Sequence, residues 1–196
     1  MDPITPELEG TLRRFTDLLT DRAVPYGFIA ERDAGRIWER HVLDSMRVVP
    51  LIPRTALDAL DIGSGAGLPG IVVAAARPDL RVVLLEAQRK RVAFLEYAAH
   101  QLALSNVRVV HGRAEDEAVE ADVAFGRAVG SAPAVWRLAR RHLRPGGMLL
   151  YFAGESWSVQ DQQGLPDARV EPRDLGASVD VGAIVMISAR GGSGRS

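Results

Sequence analysis

Ten residues constrain this chain more than any others: Asp61-Ile62-Gly63-Ser64-Gly65-Ala66-Gly67-Leu68-Pro69-Gly70. An apolar run (Ala56, Leu57, Ala59, Leu60, Ile62) leads into them, and a helical one (Ile71, Val72, Val73, Ala74, Ala75, Ala76) leads out. A buried strand that turns directly into a helix predicts an open α/β sheet, whose ligands bind at such turns. Glycines there let the backbone bend sharply and approach a ligand where a Cβ would collide. Glu86 ends the next apolar run, Val82 to Leu85. An acid at the tip of the second strand is placed to accept hydrogen bonds from both hydroxyls of a ribose. Together these features point to an adenosine-containing cofactor.

Two spacings compete within the loop. Gly65, Gly67 and Gly70 satisfy the dinucleotide pattern G-x-G-x-x-G, a weak signal in so glycine-rich a stretch. Asp61, Gly63, Gly65 and Gly67 satisfy acid-x-Gly-x-Gly-x-Gly. A carboxylate ending the strand faces where a cofactor's cationic part would lie. S-adenosylmethionine carries an ammonium and a sulfonium, whereas the same carboxylate repels a pyrophosphate. The balance favours S-adenosylmethionine over NAD. The structural alternatives are an Asp61 that caps the helix and glycines that form a plain turn.

A chain of 196 residues fits one domain, and 47% hydrophobic with 25% charged residues suits a soluble globular protein. The sequence has no cysteine, so it offers no disulfide, thiolate nucleophile or cysteine-based zinc site, and no metal is expected. No apolar stretch approaches the roughly 20 residues of a membrane span. The start, Met1-Asp2-Pro3, is acidic and lacks a signal-peptide pattern. A cytoplasmic monomer is the expectation. The net charge of −1 carries no global nucleic-acid footprint. Arginine is unevenly spread, however. Between Ala124 and Gly154 lie Arg127, Arg137, Arg140, Arg141 and Arg144 without a single Asp or Glu, and Arg89-Lys90-Arg91 forms a second cluster.

Helical spacing covers residues 6–20 after a Thr5-Pro6 cap, and a second helix is predicted over about 34–48. These make an N-terminal helical extension, 1–50, packed on a core of 56–190. The core alternates: strands at about 57–62, 81–86, 107–110, 122–126 and 148–152, and helices at about 68–77, 88–102 and 132–142. The turn Arg144-Pro145-Gly146-Gly147 should precede the fifth strand. Two weaker strands, about 168–171 and 183–188, would finish the sheet, and 191–196 would be a mobile tail. A βα series of this kind is a doubly wound, Rossmann-like sheet. The glycine loop, Glu86 and the turn before strand five stand in the order found in class I S-adenosylmethionine-dependent methyltransferases.

Several segments resemble one family closely, the bacterial glucose-inhibited division protein B family of small-subunit ribosomal RNA guanine-N7 methyltransferases. The resemblance runs through Trp38-Glu39-Arg40-His41-Val42-Leu43-Asp44-Ser45, the Asp61–Gly70 loop, Arg89-Lys90-Arg91-Val92-Ala93-Phe94-Leu95, Gly112-Arg113-Ala114-Glu115 and Arg127-Ala128-Val129. The resemblance implies methyl transfer from S-adenosylmethionine to N7 of one guanine in small-subunit (16S) ribosomal RNA, as naked RNA or as an assembly intermediate. It also implies cofactor contacts from Gly63 and Leu68, with Ala114 and Glu115 flanking the adenine. Arg127 would stand beside the methyl-transfer centre as the catalytic residue. From the residues alone, Leu68 could be a core residue, Glu115 could start a helix, and Arg127 could be a buried ion pair with Asp61 or Glu86. Other readings are a class I methyltransferase acting on another RNA, a small molecule or a protein, and an NAD-binding enzyme.

Two departures from the family pattern concern RNA contacts. Phe152-Ala153-Gly154 stands where many members carry a lysine before the glycine, and Tyr26-Gly27-Phe28-Ile29 stands where many carry Asn-Leu-Thr. The acid-free arginines are expected to form the RNA docking face beside the methyl group, with Arg36, Arg40 and Arg47 as the alternative. Guanine N7 has a free lone pair, so no base is required. His41 and His111 are expected in core or hydrogen-bonded roles.

Overall fold

The computed structural model describes residues 4–153, 157, 162–173 and 182–190; the expected tail at 191–196 and Gly154 lie outside the described residues. Helix α1 (Pro6–Leu18) starts where the sequence predicts. Thr5 Oγ1 accepts from Leu8 N at 3.3 Å, Pro6 occupies the first turn, and Glu7 and Glu9 sit at the positive end of the helix dipole. Its apolar stripe buries Leu12 and Phe15 completely, each stabilising by about 1.5–3 kcal/mol. The helix continues into a wide π-type turn, Leu19–Ala23.

The second expected helix, 34–48, is not one α-helix. It is a 3-10 turn (Glu31–Arg36), a π-type turn (Trp38–Leu43) and the short α2 (Asp44–Met46). A residue from outside the segment binds its π-type turn. Arg127 donates to the carbonyl oxygens of Arg40 and His41. A side chain that takes carbonyls from a helical ladder widens it locally.

Seven strands follow: β1 Asp58–Ile62, β2 Arg81–Glu86, β3 Val107–His111, β4 Ala121–Arg127, β5 Leu143–Phe152, β6 Ala168–Arg173 and β7 Ile184–Ala189. They form one sheet in the order β3-β2-β1-β4-β5-β7-β6. Strands β1 to β5 pair in parallel, and β7 runs antiparallel to both β5 and β6. The order reverses direction between β1 and β4, which makes that gap the switch point where such sheets bind ligands. The expected turn at Arg144–Gly147 is a bulge inside β5. Leu143 pairs with Ala121 and Met148 with Val123, so the extra residues loop out, with Gly146 at φ +83°.

Side chains alternate along each strand and so divide between two cores. Ala59, Leu84, Val123, Phe125 and Leu150 face the N-terminal helices, α3 (Gly70–Ala76) and α4 (Arg89–Gln101). Leu60, Ile62, Leu85, Ala124 and Leu149 face α5 (Ala132–Ala139). Asp61, Glu86 and Arg127 are in phase with the first set. All three therefore point to the face that carries the N-terminal helices, α3 and α4.

Candidate functional site

The parallel strands bring Ile62, Glu86, His111, Arg127 and Phe152 to one carboxyl edge, since the ladder pairs Ile62 with Leu85, Glu86 with His111 and Arg127 with Phe152. An open cleft of about 1100 Å³ runs along that edge. Small-molecule sites commonly enclose about 300–1,000 Å³, so this cleft is at the upper end of that range. One end is walled by Gly63, Ser64, Gly65, Leu68, Glu86, Ala114 and Glu115, the other by Arg40, His41, Asp44, Arg127 and Phe152.

The glycine loop is shaped from within. Ser64 Oγ bonds the carbonyl of Asp61 at 3.0 Å, and Gly65 N donates to Glu86 Oε2 at 2.9 Å. Gly65 adopts φ +57°, and a Cβ built on it meets no neighbour closer than Gly63 O at 3.8 Å. The space that side chain would fill is the cleft. This is a cradle kept open for a ligand's close approach, and it fits an adenosine-containing cofactor. Gly70 has a different reason to be glycine. A Cβ there would collide with Leu84 and come within 2.6 Å of Asp61 Oδ2.

Glu86 stands at the tip of β2 as expected and is buried. Its Oε1 accepts from Gln88 N at 2.8 Å, and Arg91 Nη1 lies 3.9 Å from Oε2. It therefore ties the β2 tip to the glycine loop as well as lining the cleft. Ala114 and Glu115 also line the cleft, but in a turn rather than at the start of a helix. Leu68 lines the cleft and packs against the first core, combining both of its sequence-level readings.

Asp61 departs from its expected placement. It does not line the cleft: its side chain is buried and Oδ2 accepts from Gly70 N at 3.0 Å, which ties the start of α3 to the strand end. Burial pushes its pKa up to about 7, against the Gly70 and Ser64 hydrogen bonds and the Arg127 charge. The helix-capping alternative describes this contact.

Arg127, at the end of β4, is half-buried, with 16% of its side chain exposed, and is firmly held. Nη1 donates to His41 O (3.2 Å) and Ser45 Oγ (3.1 Å). Nη2 donates to Arg40 O (3.1 Å) and His41 Nδ1 (3.1 Å), and lies 3.1 Å from Asp44 Oδ2. Its guanidinium also stands 5.4 Å from the Phe152 ring. The ion-pair partner is thus Asp44, neither Asp61 nor Glu86. Asp44 is shared with buried Arg47, whose Nη1 lies 2.7 Å from Oδ1. The next residue, Ala128, takes φ +54° and lines the cleft. A positive φ without glycine is costly and gathers at functional sites.

His41 is a neutral acceptor. Burial and Arg127 lower its pKa to about 4. Arginine can only donate, so Nδ1 accepts and the ring proton sits on Nε2. Nε2 has no hydrogen-bond partner, and Asp33 Oδ2 lies 3.8 Å away. His111 is tied to Ala87 O at 3.1 Å.

The expected arginine docking face does not form. Helix α5 ends at Ala139, so Arg140, Arg141 and Arg144 do not continue one helical face with Arg137. Arg144 bonds Asp58 Oδ2 (2.8 Å) and Asp122 Oδ1 (3.1 Å). Those residues begin β1 and β4, at the opposite edge of the sheet from the cleft. Arg141 bonds Glu115 O at 3.2 Å. Of the alternatives, Arg47 is buried, while Arg40 is half-exposed at the cleft rim, 3.6 Å from Asp33. Asp44 lines the cleft and pairs with Arg127 without having been singled out from the sequence, although it lies within the Trp38–Ser45 block.

The sequence profile described as rRNA small subunit methyltransferase G matches residues 9–168. Among curated relatives, "Ribosomal RNA small subunit methyltransferase G" of Thermobifida fusca is 46% identical over 145 residues, covering 73% of this chain and 61% of the relative. The Mycobacterium marinum protein of the same name is 38% identical over 200 residues, covering 95% of this chain and 86% of the relative. The aligned chain spans about three fifths of the length of relatives such as those from Thermobifida fusca and Mycobacterium leprae. Among solved structures, the SAH-bound Podospora anserina methyltransferase PaMTH1 superposes with a TM-score of 0.62 at 16% identity, over 92% of this chain and 88% of that one. A ribosomal protein L11 methylase from Lactobacillus delbrueckii superposes with a TM-score of 0.61 at 14% identity, over 75% and 77%. These likenesses mark the class I methyltransferase fold, and the sequence matches are of a different order: this chain belongs to the rRNA small subunit methyltransferase G family.

Proposed function

We propose that this protein transfers the methyl group of S-adenosylmethionine to N7 of a guanine in small-subunit ribosomal RNA. The observation that carries the reading is the single cleft joining the glycine loop and Glu86 to Arg127 and the Arg40–Ser45 segment. The relatives' printed names support the RNA substrate.

S-adenosylmethionine, when bound, supplies a methyl group already activated by its sulfonium. Gly63, Gly65 and Leu68 would hold it through the open loop, Glu86 through the ribose hydroxyls, and Ala114 and Glu115 beside the adenine. The protein's task is then to position and to exclude. Arg127 is immobilised by five contacts and keeps its charge fixed at the target end of the cleft. A fixed guanidinium costs no reorganisation when an electron-rich base edge docks, which is how pre-oriented charges assist transfer. Guanine N7 and O6 are both acceptors, but N7 must keep its lone pair for the methyl carbon, so the Arg127 charge, whose Nη groups are already partnered, would act toward O6. The target base must leave its stack to reach this depth. Arg40 at the rim is available to the RNA backbone.

Asp61 would act on the cofactor only through Gly70 and the loop it braces. A ribosomal RNA substrate supports a cytoplasmic site of action. Among the described residues no helix is long and apolar enough to cross a membrane. We take the working form to be a monomer, checked by sedimentation.

The test is mass spectrometry of nucleosides from 16S RNA incubated with the purified protein and S-adenosylmethionine. The expected product is 7-methylguanosine. Methylation at another atom, or of RNA from outside the small subunit only, overturns the reading.

A further inference from the structure

We infer that Tyr26 and Phe28 form a stacking ledge for an unpaired RNA base, running from the surface into the cleft. The inference rests on the RNA reading above and names where the strand bearing the target continues. Tyr26 is 65% exposed, one of the two large hydrophobic side chains left in solvent among the described residues. It is not loose. Its ring stacks on Phe28 at 5.8 Å between centroids with an interplanar angle of 26°. Phe28 in turn meets Phe94 of α4 edge-on at 5.9 Å, and Phe94 is buried. Phe28 also lines the cleft. A graded row of rings thus leads from core to cleft wall to open solvent, and the outermost ring presents one free face.

Three cations stand near this row, the innermost, Arg91, 3.9 Å from buried Glu86. Arg91 lies 5.7 Å from the Phe28 ring and lines the cleft. It belongs to the first turn of α4 together with Arg89 and Lys90, a turn without an acid. Arg89 and Lys90 are exposed and carry no ion pair among the described residues. Three cations in the first turn oppose the helix dipole, which favours acids there. The stacked rings offer π-faces, and the cations offer partners for phosphates. That pairing of aromatic steps with a basic track is the chemistry of single-stranded nucleic acid recognition. An apolar partner protein would have no use for the cations. A duplex would keep its bases stacked and offer none to Tyr26.

The experiment compares the full chain with Tyr26→Ala and Tyr26→Phe. Binding is measured by fluorescence anisotropy against labelled 16S RNA and against single-stranded and duplex oligoribonucleotides. Affinity for S-adenosylhomocysteine is measured by calorimetry, and folding by thermal melting. Tyr26→Ala should weaken single-strand and 16S RNA binding by about 5- to 150-fold, the range for losing one base–aromatic stack. Tyr26→Phe should bind as the parent, since stacking needs no hydroxyl. Cofactor affinity and melting should not change, because Tyr26 is exposed and Gly27 beside it has open space. Unchanged RNA affinity in Tyr26→Ala overturns the ledge. A loss confined to S-adenosylhomocysteine also overturns it and assigns the rings to the cofactor side. If the parent itself binds none of the RNAs, the reading under Proposed function fails first.

Discussion

Asp44→Asn tests how Arg127 is held. Asp44 places one carboxylate between the buried guanidinium of Arg47 at 2.7 Å and the half-buried one of Arg127 at 3.1 Å. The side chains are 9% exposed for Asp44, 8% for Arg47 and 16% for Arg127, so water compensates the lost charge poorly, least of all at Arg47. Arg47 has little else: Nη1 also donates to Gly182 O at 2.9 Å, while Nε and Nη2 have no partner. Asparagine keeps the shape, offers one acceptor, and turns an NH2 toward the other guanidinium. Removing one partner from a buried pair costs about 3–5 kcal/mol, and here two cations depend on that partner. A domain of this kind has a total stability of about 5–15 kcal/mol, so the variant should be severely weakened. Urea unfolding gives the difference directly if the slope is unchanged. Adding Arg127→Met should cost less in Asp44→Asn than in the parent, because one uncompensated cation is then removed. A loss below about 1 kcal/mol, the level of an exposed pair, would refute the argument. So would independent, additive effects of the two substitutions.

Four further outcomes are expected. Glu86→Ala should weaken S-adenosylhomocysteine binding by about 1.5–3 kcal/mol, the range for bonds to a charged group; a calorimetric change of only a few tenths would confine Glu86 to bracing Gly65 and Gln88. Gly65→Val should abolish that binding while circular dichroism retains the folded spectrum, with strain at φ +57° costing about 1–3 kcal/mol; retained affinity would falsify the cradle. Asp61 has a folded pKa near 7, above its unfolded value, so between about pH 4 and 7 the unfolded chain releases a proton that the folded chain keeps. Stability measured relative to Asp61→Asn should therefore fall as pH rises through that window, and a rise instead would show that the carboxylate is ionised when folded. Arg144→Gln should leave the salt dependence of RNA binding unaltered, since its partners are Asp58 and Asp122 at the far edge of the sheet; a slope reduced by about one unit would put phosphates there after all.

The parallel core was legible because its signals are local. Buried strands such as Val82–Leu85 read as apolar runs, and the Asp61–Gly70 loop combines acid, glycines and following helix in ten residues. The N-terminal segment was less legible because its contacts are not local: the His41 carbonyl accepts from Arg127, 86 positions away. Arginine spacing misled for the same reason. Three-one-three spacing assumes one continuing helix, but α5 stops at Ala139 and Arg144 is claimed by the first turns of the sheet's other edge. The direction of the Asp61 carboxylate was not legible because its partner, Gly70 N, lies nine residues on and comes within hydrogen-bond range only when the loop folds back.

The Trp38–Ser45 block and Arg127 are far apart in sequence, yet they make one object, and its chemistry bears on the reaction. The block supplies Arg127 with three oxygens, one ring nitrogen and one carboxylate, so the guanidinium is charged and rigid. That charge and burial hold His41 near pKa 4. An efficient general base at neutral pH needs a pKa near the working pH, so His41 is poorly matched to removing a proton. His111 is bonded to the chain at Ala87. A nucleophile that must lose a proton, such as an exocyclic amine, would find little help at this end of the cleft. A nucleophile with a free lone pair needs none, and guanine N7 is one. The residues that hold Arg127 therefore agree with the proposed alkylation of an unprotonated ring nitrogen, which asks this end of the cleft for positioning rather than for a base.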